Sequence, residues 1–115
     1  MSSREEIVVP SGRTVTFHEM IWDQPGSGLI YRFRFIFQGL ATEVDTMDYE
    51  EMERDLAHLC NEYALPRVAD TGPQPGQIVI SLSDRETEFG EPTPEATQIF
   101  EAYSLTDNTC VWEPF

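Results

Sequence analysis

The sequence predicts an α+β domain: a mostly antiparallel sheet of about five to six strands, ordered ββ-β-α-β-ββ, with one amphipathic helix packed on one face. Three observations predict it. Leu29, Tyr31, Phe33, Phe35 and Phe37 alternate with Ile30, Arg32, Arg34 and Ile36, which is the period of an extended chain. Between residues 49 and 63, apolar side chains recur at steps of three and four, the period of a helix with one buried stripe. The other apolar runs are short and bounded by Gly, Pro, Asp or Asn, as strands between turns are.

In chain order, Ile7 to Val9, then Pro10-Ser-Gly12, then Arg13 to Trp22 predict a β-hairpin. Gly12 supplies a positive φ for the turn. In its second strand Val15, Phe17 and Ile21 form the apolar side, with Glu19 interrupting it. Asp23 to Gly28 is a loop. Residues 29–37 then form the central strand, its aromatic side in the core and its arginine side partly covered. Aromatic residues favour such a pleated surface. Asp48-Tyr-Glu-Glu51 has the spacing of a capping box. Tyr49, Met52, Leu56, Leu59, Cys60 and Tyr63 make the helix stripe. Glu50 and Arg54 stand at i,i+4 in the favourable order. Pro66 is expected to end the helix near Ala64. Gln77 to Ser83 is a strand with Ile78, Ile80 and Leu82 inward. Asp84 to Glu95 is an acidic loop. Thr97 to Leu105 fits either helix or strand; the hairpin reading, with Asn108 in a left-handed turn, is adopted.

At 115 residues one domain, 1–115, has enough chain for a core without staples. Twenty-one acids oppose seven bases, giving −14. A field of that sign repels phosphate backbones and anionic membranes. It favours solubility and a protein partner, basic if charge selects it. No apolar run reaches the roughly 20 residues of a membrane span. Before Pro10 there is no apolar stretch of the kind a signal peptide needs. As written, the chain is expected to be cytoplasmic; removal of a leader would make it periplasmic.

Several stretches together resemble a family of short alphaproteobacterial proteins, a domain of unknown function. They are Val9-Pro-Ser-Gly12, Tyr31-Arg-Phe-Arg-Phe35, His58-Leu-Cys60, Tyr63-Ala-Leu-Pro-Arg67, Ile78 to Arg85, Thr97 to Tyr103 and Cys110-Val-Trp-Glu113. The resemblance covers nearly the whole chain. It implies no activity and no site. Members sometimes carry an automated label, acetolactate synthase, and often look exported. The thiamine-diphosphate enzymes of that name have catalytic chains several times longer, with Mg2+ and diphosphate sites that nothing here resembles. Their regulatory module, βαββαβ, differs from the element order read here.

Cys60 and Cys110 are the only cysteines. Two readings stay open: buried free thiols, or a disulfide, which needs an oxidising compartment. An apolar helix face raises a thiol's pKa, which argues against a catalytic cysteine. His18, His58, Cys60 and Cys110 lack zinc-site spacing, because two helical residues two apart diverge by about 200°. Ser81, Ser83, Asp84 and His18 carry no G-x-S-x-G elbow. There is no P-loop, no Rossmann glycine pattern and no EF-hand loop. Arg32 and Arg34 share one strand face about 7 Å apart. Acids of the same chain are their first expected partners, and an anion or partner face is the alternative. Tyr103, Trp112 and Phe115 are candidate partner contacts. The expected function is a small binding or accessory module acting through protein contacts, without catalysis and without cofactor or metal. The alternative is a ligand binder or enzyme with a site assembled from dispersed residues.

Overall fold

The computed structural model describes residues 5–23, 29–46, 48–69 and 76–113. Its strands are β1 (Glu6–Val8), β2 (Thr14–Asp23), β3 (Ile30–Ile36), β4 (Gln77–Ser83), β5 (Gln98–Thr106) and β6 (Thr109–Trp112). They form one six-stranded sheet in sequence order. Four neighbouring pairs are antiparallel, and β3 and β4 are parallel. The parallel pair follows from the helix: it carries the chain back across the sheet, so β4 starts at the same end as β3. The result is an α+β fold with β3 in the interior of the sheet.

The predicted alternation of β3 sets the core. Tyr31, Phe33 and Phe35 are buried on the helix side. They stand opposite Ile78, Ile80 and Leu82 of β4 in register. After one short helix, α1 (Leu40–Glu43), a long helical run lies against them: α2 (Tyr49–His58), a π-helical stretch over Leu59–Ala64, and α3 (Leu65–Ala69). Leu56, Leu59, Cys60 and Tyr63 of the predicted stripe are buried, whereas Tyr49 is exposed at the helix start. The Tyr63 ring packs 5.3 Å from Phe35, 5.2 Å from Phe17 and 6.2 Å from Phe33 between centroids. Such separations are those of favourable aromatic pairs.

Four local expectations are corrected. Pro66 does not end the helix; the chain stays helical to Ala69. The π-helical stretch before it explains why. Leu65 N–H donates to Cys60 C=O, one residue beyond the α-helical partner. The wider turn relieves the clash that proline makes with the preceding turn. The capping box forms by half: the Asp48 side chain accepts from Glu50 N–H at 3.2 Å. Glu51, its expected return partner, instead accepts from Arg13 at 2.7 Å. Arg54 reaches the Glu50 backbone carbonyl at 3.5 Å, where a carboxylate pair was expected.

The fourth correction concerns β2. Phe17 pairs with Phe35 and Glu19 with Arg34, so His18 is the extra residue of a β-bulge. A bulge shifts every later side chain to the opposite face. Met20 and Trp22 therefore lie on the helix side, and Glu19 and Ile21 on the arginine side. Glu19 does not interrupt an apolar face; it is delivered to Arg34.

The first hairpin is tied down through its turn. Gly12 has φ +93°, and Ser11 gives both its N–H (3.0 Å) and its hydroxyl (2.7 Å) to the buried Asp55 of α2. Arg13 bridges Glu43 and Glu51. The Val9-Pro-Ser-Gly12 stretch is thus a clamp between hairpin and helix. The C-terminal segment is a hairpin as expected. Asp107 and Asn108 both have positive φ, 51° and 63°, the pattern of a type I′ turn.

Candidate functional site

The second face of the sheet is the more informative one. Arg32 and Arg34 of β3 stand beside Val79 and Ser81 of β4, with Ile21 and Glu19 of β2 on one side and Ala102 and Phe100 of β5 on the other. The acidic loop between β4 and β5 folds back over this face. Its Thr87 is buried and accepts from Arg34 Nη2 at 2.6 Å, while Arg34 Nη1 bonds Glu19. Phe89 of the same loop lies over both guanidiniums, 5.5 Å from Arg32 and 5.7 Å from Arg34. Arg34 is therefore held by groups of its own chain, and the Phe89 ring is held in place by the two cations beneath it.

The loop is fixed at both ends. Asp84, buried, accepts from Thr97 N–H at 3.1 Å and from both prongs of Arg85. Bonds from the Arg85 guanidinium hold the Asp84 carboxyl below its ordinary range. His18, on the bulge, stands 3.7 Å from Glu86.

What the loop leaves open is a cavity of about 240 Å³. It is lined by Arg32, Arg34, Val79 and Ser81 from the strands, by Phe89 and Phe100, and by the exposed Glu88 and Glu91. Phe89 is 48% exposed and Phe100 63%.

The remaining sequence candidates lie elsewhere. Cys60 and Cys110 are joined in a disulfide, with Cα atoms 6.2 Å apart and 50 residues between them in sequence. It bonds the π-helical stretch to β6 and is buried at both ends. Asn61 adds a second tie beside it, accepting from Cys110 N–H at 2.9 Å. Both thiols are consumed, so neither is a nucleophile or a ligand here. Tyr103 and Trp112 are cross-strand neighbours on the helix side, opposite to Arg32 and Arg34. Trp112 Nε1 donates to Glu101 at 2.6 Å. Phe115 lies outside the described residues. Sequence reasoning missed the part played by Phe89 and Thr87, and the clamp through Asp55. Phe89 carried a signal, since it is the one aromatic residue between Asp84 and Glu95.

A buried disulfide, a bulged mixed sheet and one long broken helix define a small stapled α+β domain. The chain belongs to DUF6497, a family of unknown function whose match spans residues 1–115. No curated protein and no solved structure matches it. Among the described residues no helix is long and apolar enough to cross a membrane.

Proposed function

We propose that this chain is a non-catalytic binding module that works in an oxidising compartment and contacts a partner protein through the Phe89–Phe100 face. One observation carries the reading. Two large, exposed rings, Phe89 and Phe100, line an open cavity, on a surface where Arg34 is already bonded to Glu19 and Thr87. Exposed apolar groups rimmed by charge mark interaction sites. Here the Arg34 guanidinium is bonded in place before binding, which lowers the cost of association.

The size of the cavity favours a side chain over a cofactor. Drug-sized ligands occupy about 300–1,000 Å³, and about 240 Å³ suits one apolar or aromatic side chain. The partner's charge follows from the rim. Glu88 and Glu91 border the slot and the whole chain carries −14, so basic residues should flank the partner's anchor. Rim charges of this kind set association rate and salt dependence more than affinity. The oxidising compartment is inferred from the disulfide, which a reducing cytosol does not maintain.

The test is affinity capture from the organism's own extract at low salt, comparing wild type with Phe100→Ala and Phe89→Ala. A partner retained by wild type and lost from both variants supports the reading. Capture of no protein by wild type, or equal capture by all three, refutes it.

A further inference from the structure

A second surface, on the other side of the sheet, has a different chemistry. Between α2 and the β5–β6 hairpin runs an open groove of about 500 Å³, bordered by Glu50, Glu53, Arg54, Ala57, Tyr103 and Trp112. Glu101 stands at its edge, holding the Trp112 indole at 2.6 Å. Tyr49 is within hydrogen-bonding reach of Glu53, whose carboxylate keeps further lone pairs, and lies near Glu101. We propose that this groove is a binding site for a primary alkylammonium cation, received by Glu53, the Tyr103 hydroxyl and the Trp112 ring.

Three features support it. The first is Tyr103. Its side chain is 3% exposed, yet its hydroxyl makes no hydrogen bond among the described residues and is not sealed from solvent. The residue borders the groove, so that opening is the groove. A phenol set this deep in a fold ordinarily bonds a protein group, whereas this hydroxyl has only what enters the groove. Burial, with Glu101 and Glu53 nearby, raises the Tyr103 pKa. The group therefore stays a neutral hydroxyl, with lone pairs open to an N–H donor.

The second feature is charge. Glu50 and Glu53 line the groove and Glu101 stands beside it at Trp112, while the one guanidinium lining it, Arg54, is turned toward the Glu50 backbone carbonyl. The third is the ring system. Trp112 is 44% exposed and Tyr49 55%, and indole and phenol faces attract cations. Carboxylates and a hydroxyl accept N–H bonds, so the site suits a primary ammonium better than a quaternary one. That ammonium is the same group whether it ends a free polyamine or a lysine side chain. The site is independent of the Phe89–Phe100 face.

The test is proton–nitrogen NMR at constant ionic strength, reading the Trp112 indole N–H, with Trp22 as internal control. The probes are n-butylammonium, tetramethylammonium, spermidine and a blocked Gly-Lys-Gly peptide. The expected result is a saturable shift of Trp112, not Trp22, with n-butylammonium and only a weak one with tetramethylammonium. Glu53→Gln and Tyr103→Phe should each weaken binding about tenfold, the worth of a hydrogen bond to a charged group. Tyr103→Phe should leave Tm unchanged or higher, because no protein bond is lost. Tighter binding of spermidine than of the peptide would identify a free polyamine as the source, and the reverse order a lysine side chain. The proposal is overturned if Trp112 does not move with n-butylammonium, or if tetramethylammonium moves it equally. It is also overturned if both variants bind like wild type, or if Tyr103→Phe lowers Tm.

Discussion

Removing the Cys60–Cys110 bridge should be among the most damaging changes available, and its size can be worked from the structure. The perturbation is the double variant Cys60→Ala/Cys110→Ala, compared with wild type in oxidising and reducing buffer. The bridge spans a sequence separation of 50. Closing a loop of that length removes about 14 cal/mol/K of entropy from the unfolded chain, or about 4 kcal/mol at 25 °C. Unfolding entropy near Tm is about 2.1 cal/mol/K per residue, so a chain of this length has about 240 cal/mol/K. The ratio predicts a fall in Tm of about 17 °C. Both sulfur positions are buried, so the alanines add a small cavity cost in the same direction. Differential scanning calorimetry reads the effect. Wild type should fall by a similar amount when reductant is added, and the double variant should not respond to reductant at all. A loss under about 3 °C would refute the argument, because it would mean that the bridge does not constrain the unfolded chain.

Three further outcomes follow from other parts of the fold. Phe33 is 1% exposed and central in the sheet, so Phe33→Ala should cost about 3–5 kcal/mol in urea unfolding. Ser11 and Asp55 form a 2.7 Å bond between hairpin and helix; a Ser11→Ala/Asp55→Ala double-mutant cycle should give a coupling of about 1.5 kcal/mol, and near zero would remove the clamp. Tyr63 is pushed up to about 12, chiefly by burial and then by its bond to Glu5. The folded state thus holds that proton more tightly than the unfolded state, whose tyrosine titrates near 10. Stability should therefore fall as pH rises from about 10 to about 12. Thermal melts across that window should show a shallower fall in Tyr63→Phe, and an unchanged slope would contradict the assignment.

The central elements were legible because their physics is local. The alternation of residues 29–37 needs no partner to be recognised, and it fixed both the core face and the arginine face of β3. The helix stripe and the Asp-Asn turn are likewise written in neighbouring residues. What escaped depended on contacts distant in sequence. The bulge at His18 is decided by how β2 meets Arg34 and Phe35, and no spacing within β2 announces it. Helix continuation through Pro66 needed the π-helical stretch, which periodicity at 3.6 residues cannot display. Glu51 suits a capping box until Arg13, 38 residues earlier, takes its carboxylate. The two cysteines left bridge and free thiols equally open, since only the fold decides whether Cys60 and β6 meet. At the candidate site, Arg32 and Arg34 were visible as a pair, but Phe89 came from a loop that looked merely acidic.

The most direct measurement is site-specific photocrosslinking in the native organism, with p-benzoylphenylalanine at position 100 and a control at the exposed hairpin residue Asn108. Phe100 is 63% exposed beside the anchor cavity, so the account predicts one discrete protein adduct from position 100 and none from 108. Adducts of equal yield from both positions, or none from position 100, would contradict it.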